Sequence, residues 1–132
     1  MTHFFLDENL SEYVAEALNY LNRGHFKDVE VYSTKTKFQK GIPDTELIPE
    51  IGKSGGILIT RDINIPKTRL LYKLCQDYQL GIFFLKMPKN QDNHWALVKS
   101  LINNWDEVVK KSFIEKKPFA YIIKVKGRME KL

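Results

Sequence analysis

The sequence has little of what holds extracellular and membrane proteins together. Cys75 is the only cysteine among 132 residues, so the chain forms no internal disulfide. Its place among Leu71, Leu74 and Tyr78 predicts a core thiol rather than a nucleophile. No apolar run approaches the roughly 18 residues of a membrane span, and Met1 leads into a strand rather than a signal peptide. We therefore expect a cytoplasmic protein without membrane attachment.

The three histidines are also too sparse to form a zinc site. His3, His25 and His94 lack the ligand spacing of such a site, and we expect them to have surface or packing roles. The composition, 43% hydrophobic and 12% aromatic, is that of an ordinary globular protein and fits one domain over residues 1–132.

What the sequence does contain is an uneven distribution of charge. Residues 1–66 carry seven Lys and Arg against ten Asp and Glu, whereas residues 67–132 carry fourteen against six. An acidic first half and a basic second half are compatible with a metal site beside a surface that binds a polyanion. They are equally compatible with solubility alone.

Strand-like and helix-like segments alternate along the chain. Apolar residues recur at helical spacing in four segments and form short buried runs in four others. The helical segments are 10–21, 44–51, 70–78 and 98–109, and the strands are 4–6, 29–32, 56–60 and 81–85. This order predicts a three-layer α/β/α domain with a mainly parallel sheet, whose ligands gather beyond the carboxyl ends of the strands.

Local signals refine this pattern at three places. Ser11 or Asn9 can cap the first helix, and Asp44 can cap the second. Pro49 is expected to interrupt or kink the second helix, because an internal proline removes a backbone hydrogen bond. The polar stretch 33–41 is predicted to be a loop.

Acidic residues follow two of the predicted strands. Asp7 closes the first and Asp62 the third, so both carboxylates are expected on one rim of a parallel sheet. Asp44 and Glu46 can face that rim from the second helix. Carboxylates held this close repel one another unless a cation lies between them, and an all-oxygen cluster suits Mg²⁺ or Mn²⁺. Such an ion can promote phosphodiester hydrolysis. Alternatively, Asp44 is a helix cap, Glu46 is solvated, and the strand-end acids bind only loops.

Three stretches of the sequence resemble the PIN-like ribonuclease domain, in particular the small toxins of toxin–antitoxin pairs. They are "FFLDENLS", "PDTEL" and "GILITRDIN", within a resemblance that ends at "GIFFLKMP". The resemblance implies that Asp7, Asp44 and Asp62 are catalytic ligands of Mg²⁺ or Mn²⁺ for cleavage of RNA, with Glu46 as a substitute or supplementary ligand. It also implies that Asn9 and Thr60 support these ligands by hydrogen bonding, and it suggests an antitoxin protein as partner, while a homodimer stays open.

Two positions depart from this family pattern. Asn64 stands where related sequences often have a further acid, so it can offer a carbonyl oxygen but no charge. A weaker second metal site, or a single metal ion, follows from this. Pro49 is the other departure, and it could displace Asp44 by a helical turn.

Basic residues dominate the end of the chain, over about residues 110–132. Lys124, Lys126 and Arg128 alternate along "AYIIKVKGR", which predicts a basic ridge on one face of an edge strand, with Tyr121, Ile123 and Val125 turned inward. This ridge can bind an RNA backbone or simply prevent aggregation of an exposed strand edge. Arg61, next to Asp62, is a further candidate for a phosphate contact, unless it pairs with a neighbouring carboxylate.

Two other functional classes compete with a nuclease. A receiver-type phosphoacceptor domain would use Asp7, Glu8 and Asp62, but it needs Ser or Thr after the fourth strand, where Lys86 and Met87 stand. A PIN-like module that binds RNA or protein without cleavage is the second alternative. Metal dependence and the effect of Asp62→Asn separate the three classes.

Overall fold

A computed structural model describes residues 1–61, 65–90 and 93–132, apart from the side chains of residues 65–67. The helices are α1 (Glu12–Asn22), α2 (Thr34–Lys37), α3 (Asp44–Lys53), α4 (Ile65–Asp77) and α5 (His94–Ile114). The strands are β1 (Thr2–Leu6), β2 (Val29–Ser33), β3 (Ile57–Arg61), β4 (Gly81–Lys86), β5 (Phe119–Lys124) and β6 (Glu130–Lys131).

The strands form one sheet in the order β2-β1-β3-β4-β5-β6. All neighbours from β2 to β5 pair in parallel, and β6 is antiparallel to its neighbour β5. The mainly parallel α/β sheet predicted from the sequence is therefore confirmed. In this order β1 lies between β2 and β3, so the helical connections leave β1 and β3 on opposite sides and open a crevice between their carboxyl ends.

Helices cover both faces of the sheet because successive strand residues point to opposite sides. Phe4 and Leu6 pack with α1 and α5 in one core, whereas Phe5 packs with α3 and α4 in the other. The two cores make the three layers of the predicted α/β/α arrangement, and they fix which side of the sheet each strand-end residue faces.

Most helix signals in the sequence agree with the structure, but three details differ. Ser11 caps α1 as predicted, through a hydrogen bond from the Tyr13 backbone N–H to the Ser11 hydroxyl oxygen (3.2 Å). The segment 33–41 is not all loop, since it contains α2. Asp44 is not a cap; it is the first residue of α3, and Pro43 holds the cap position without a side-chain hydrogen bond. Pro49 lies inside α3, which continues to Lys53, so the predicted interruption is wrong.

The prediction of a basic ridge on an edge strand is also wrong. β5 ends at Lys124, so Lys126 and Arg128 lie in the following turn rather than on a strand face. Gly127 has a φ of 90°, a backbone conformation that favours glycine, and it reverses the chain. β6 then pairs with Tyr121 and Ile122, so β5 is not the edge. Tyr121 and Ile123 are buried as predicted, but Val125 is exposed.

The start of β4 shows how closely two neighbouring strands approach. Gly81 is paired with Phe119 of β5, and the aromatic ring lies over the space that a side chain at position 81 would occupy. Phe119 in turn packs edge-on against Phe83, with ring centroids 5.6 Å apart. Glycine at position 81 therefore permits this aromatic packing.

Within the described ranges, we find no helix both long enough and apolar enough to cross a lipid bilayer.

Candidate metal-binding and catalytic site

A small cavity lies beyond the carboxyl ends of β1 and β3, at the crevice that the strand order creates. Its volume is about 70 Å³. Its walls combine polar residues from strand ends and loops with an apolar floor from β3, α3 and α4. The residues that line it are Asp7, Glu8, Asn9, Thr34, Ile42, Asp44, Leu47, Leu58, Thr60 and Leu71.

The sheet register brings Asp7 and Thr60 together. Leu6 is paired with Ile59, and the Asp7 backbone N–H donates to the Ile59 carbonyl at 3.0 Å. Asp7 follows Phe5 by two residues and Thr60 follows Leu58 by two, so both side chains lie on the α3 and α4 side of the sheet. The Thr60 hydroxyl then donates to Asp7 Oδ2.

Two further hydrogen bonds hold the Asp7 carboxylate from the other side. The Asn9 backbone N–H donates to Asp7 Oδ1 at 2.5 Å, and Asn9 Nδ2 donates to Oδ2 at 3.4 Å. The Leu10 N–H closes the same turn on the Asp7 carbonyl at 3.0 Å. Asp7 is half-buried, and Thr60 is only 2% exposed. Both oxygens of the carboxylate are therefore positioned before any ligand binds.

Asp44 reaches the same cavity from the first residue of α3. It is half-buried and lies near α4. Burial raises the pKa of the Cys75 thiol to about 12, and the nearby negative charge of Asp44 adds to this increase. Cys75 is thus the inert core thiol expected from the sequence. Glu46, two residues further along α3, is exposed and does not line the cavity.

Two polar residues at the cavity were not predicted as residues of the nuclease site: Thr34 was not singled out, and Glu8 was named only for the receiver-type alternative. Thr34, which is 3% exposed, opens α2 directly after β2, and the end of β2 at the same rim was the signal that could have identified it. Glu8 accepts a hydrogen bond from the Gly41 backbone N–H at 3.0 Å. This bond joins the loop after β1 to the loop before α3, and both loops border the cavity.

The types of donor atom at the cavity suit a hard divalent cation. They are carboxylate, hydroxyl and amide oxygens, which Mg²⁺ and Mn²⁺ prefer. Over residues 1–61, 65–90 and 93–132 no group of three acidic, histidine or cysteine side chains is close enough to hold a metal. The described part of the chain supplies Asp7 and Asp44, whereas the predicted ligand Asp62 and the neighbouring Asn64 lie outside the described residues.

The basic residues predicted to bind RNA, all of which lie in the described ranges, do not line this cavity. Arg61 is half-buried, does not line the cavity, and follows Thr60 in β3, which places it toward the opposite side of the sheet. Lys124 and Lys126 line a different cavity at the ends of β4 and β5. Arg128 is exposed in the turn before β6.

Comparison with known proteins relates the chain to a family. A family model described as PIN like domain matches residues 2–87 of the chain. The match spans β1 to β4 and includes every residue that lines the cavity. No curated protein and no solved structure matches the chain.

Proposed function

Because the chain belongs to the PIN-like domain family, we propose that it is a metal-dependent endoribonuclease that uses the cavity at the ends of β1 and β3. The observation that carries this proposal is that three acidic residues line one small cavity rich in oxygen donors, namely the predicted ligands Asp7 and Asp44 together with Glu8. Acidic side chains around so small a space are stable together only when protons, hydrogen bonds or a cation offset their charges.

Each residue of the site has a distinct role in this proposal. Asp7, Asp44 and Asp62 hold Mg²⁺ or Mn²⁺, and the ion, when bound, supplies a charge that activates water and offsets the charge on the phosphate oxygens. Thr60 and Asn9 hold the Asp7 carboxylate in one orientation. Glu46 belongs to the predicted ligand set, but its exposed position outside the cavity gives it no support.

The substrate in this proposal is RNA, and the biological role is that of a toxin held inactive by an antitoxin protein. Both statements rest on the resemblance of the three sequence motifs. Expression in a bacterial host tests the role. The unmodified chain should arrest growth, and the variant Asp7→Asn should not do so at an equal protein level. Equal arrest by both forms would contradict a role that depends on cleavage.

A cleavage assay with a matched control tests the chemistry. Purified protein is incubated with structured and unstructured RNA in Mn²⁺, Mg²⁺ or chelator, beside the variants Asp7→Asn and Asp28→Asn. Asp28 is an exposed acid directly before β2, at the opposite rim of the sheet. We expect cleavage with metal by the unmodified protein and by Asp28→Asn, and at least a hundredfold slower cleavage by Asp7→Asn.

Three results would contradict the nuclease proposal. The first is equal cleavage in chelator, and the second is equal cleavage by Asp7→Asn. The third is RNA binding without cleavage in either metal, which would favour the non-catalytic PIN-like module. Incorporation of phosphate from a small phosphoryl donor, lost in Asp62→Asn, would instead favour the receiver-type domain.

A further inference from the structure

A second cavity lies beyond the ends of β4 and β5 and has a different character. Its volume is about 460 Å³, several times that of the cavity at Asp7. Three lysines and three apolar residues line it, namely Lys86, Met87, Pro88, Lys124, Val125 and Lys126. Neither the family match, which ends at residue 87, nor the proposed chemistry at Asp7 accounts for it.

The sheet places this basic cavity in line with the carboxylate cavity. β1, β3, β4 and β5 are consecutive neighbours and parallel, so their carboxyl ends share one edge. Lys86 and Lys124 are direct partners in the register of β4 and β5. Adjacent strands are about 4.8 Å apart, so the basic cavity lies roughly 10–15 Å along the edge from Asp7. A stacked nucleic-acid strand covers that span with about three or four nucleotides, at about 3.4 Å each.

An acidic side chain already contacts one of the lysines of this cavity. Lys124 Nζ and Glu130 Oε2 of β6 are 2.5 Å apart. The hydrogen bond from Lys124 holds the pKa of Glu130 below its usual value, and the charge of Lys86 contributes to the same effect. Among the described residues, Glu130 thus interacts with two of the three lysines, Lys124 and Lys86. The cavity therefore keeps an excess of positive charge for a further anion.

We propose that this basic cavity is a subsite for single-stranded RNA, in which Lys86, Lys124 and Lys126 bind phosphates a few nucleotides from the bond cleaved at Asp7. The apolar side formed by Met87, Pro88 and Val125 offers a surface for a base or ribose. This assignment rests on the proposed ribonuclease function. It implies that the enzyme binds several nucleotides of a single strand rather than the scissile phosphate alone.

Glu130 has a specific role in the proposal. Its carboxylate pairs with Lys124 while no RNA is bound, and a phosphate replaces it on binding. Glu130→Gln removes this competing charge without shortening the side chain. We expect the variant to bind RNA about two- to fivefold more tightly, the range in which an exposed ion pair contributes. A purely structural ion pair would give no gain in RNA affinity.

Fluorescence anisotropy with a labelled single-stranded oligoribonucleotide of 12 nucleotides, in chelator to prevent cleavage, tests the binding step. The variant Lys86→Ala with Lys124→Ala is compared with the matched control Lys27→Ala with Lys116→Ala. Lys27 and Lys116 are exposed and precede β2 and β5, at the opposite rim of the sheet. Both double variants lose the same charge, so only a local effect can separate them.

The salt dependence gives the expected magnitude. Each phosphate contact to a single strand contributes about 0.7 to the slope of log K against log salt. Loss of two contacts lowers the slope by about 1.4, so the drop in affinity between 50 and 200 mM salt becomes about sevenfold smaller. At 100 mM salt we expect about tenfold weaker binding by the Lys86 and Lys124 variant, and near-normal binding by the control. If the double variant fails to fold, the exposed Lys126→Ala provides a second test.

A cleavage arm with substrates of 2 and 12 nucleotides separates this inference from the proposed function. The Lys86 and Lys124 variant should show raised KM on the longer RNA, unchanged kcat, and unchanged kinetics on the shorter one, which cannot reach the basic cavity. If the Lys86 and Lys124 variant binds RNA more weakly but the unmodified protein cleaves no RNA, the nuclease function is refuted and the RNA-binding subsite is retained. Normal cleavage with equal RNA affinity of the two double variants would overturn the subsite. So would selective binding of an acidic peptide, but not RNA, at these lysines.

Discussion

The hydrogen bond between Thr60 and Asp7 gives the sharpest prediction about the site. Thr60→Val keeps the shape of the side chain and removes the hydroxyl that donates to Asp7 Oδ2. A hydrogen bond to a charged group contributes about 1.5–3 kcal/mol. Asp7 is only half-buried, so water recovers part of this, and we expect the free energy of unfolding to fall by about 1–1.5 kcal/mol.

Urea unfolding at neutral pH measures this change. The midpoint should fall by about 0.5–1 M, while Thr60→Ser, which keeps the hydroxyl, should retain more of the stability. A double-mutant cycle with Asp7→Ala isolates the pair, and we expect a coupling energy of about 1 kcal/mol. In the cleavage assay Thr60→Val should lose about tenfold to a hundredfold in activity or metal affinity, because Asp7 is less well oriented.

The cycle can also refute this reasoning. A coupling energy below about 0.3 kcal/mol, the level at which independent sites add, would mean that Thr60 and Asp7 do not stabilise each other. Normal cleavage by Thr60→Val at limiting metal concentration would show that Asp7 needs no support from β3.

Two further predictions concern stability away from the cavity. The Tyr121 hydroxyl donates a hydrogen bond to Glu115 (2.5 Å), and Lys131 donates a second one. These bonds, that from Tyr121 first, lower the pKa of Glu115. The charged form of Glu115 therefore stabilises the fold above about pH 4.5, and this contribution disappears as the pH falls further. Glu115→Gln should therefore reduce stability more at pH 7 than at pH 3, and an equal deficit at both values by urea unfolding would contradict this. Gly81→Ala would force its new methyl group into the ring of Phe119 and should lower the free energy of unfolding by about 1–3 kcal/mol. In thermal unfolding, adding Phe119→Leu should recover part of that loss. Strictly additive effects of the two substitutions would count against the clash.

The sequence predicted the sheet and the place of the candidate site because both depend on local patterns. Buried runs that end in Asp7 and Asp62 predict parallel strands with acids at one rim. The two-residue alternation from Phe5 to Asp7 and from Leu58 to Thr60 explains why the first acid meets a hydroxyl. These features need only the strand period and the register of two neighbours. The second acid, Asp62, lies outside the described residues, so its place at the rim stays a prediction.

The rest could not be predicted because it depends on contacts between distant segments. The turn at Gly127 brings Glu130 back to Lys124, which converts a predicted edge strand into an interior one. The alternating lysines gave no sign of that reversal. Thr34 could not be recognised within its polar stretch, because a four-residue helix is too short to show a helical pattern of apolar residues. Glu46 has the right residue type, but the rotation of α3 turns it to solvent.

The position of α5 limits how small a folded piece of this protein can be. The family match ends at residue 87, yet α5 supplies much of the apolar layer that covers Phe83 and Leu85, and β5 pairs along the whole of β4. A fragment cut after residue 87 would leave those side chains and an open strand edge in water, which promotes aggregation. The shortest autonomous unit therefore extends well past the segment that carries the proposed chemistry.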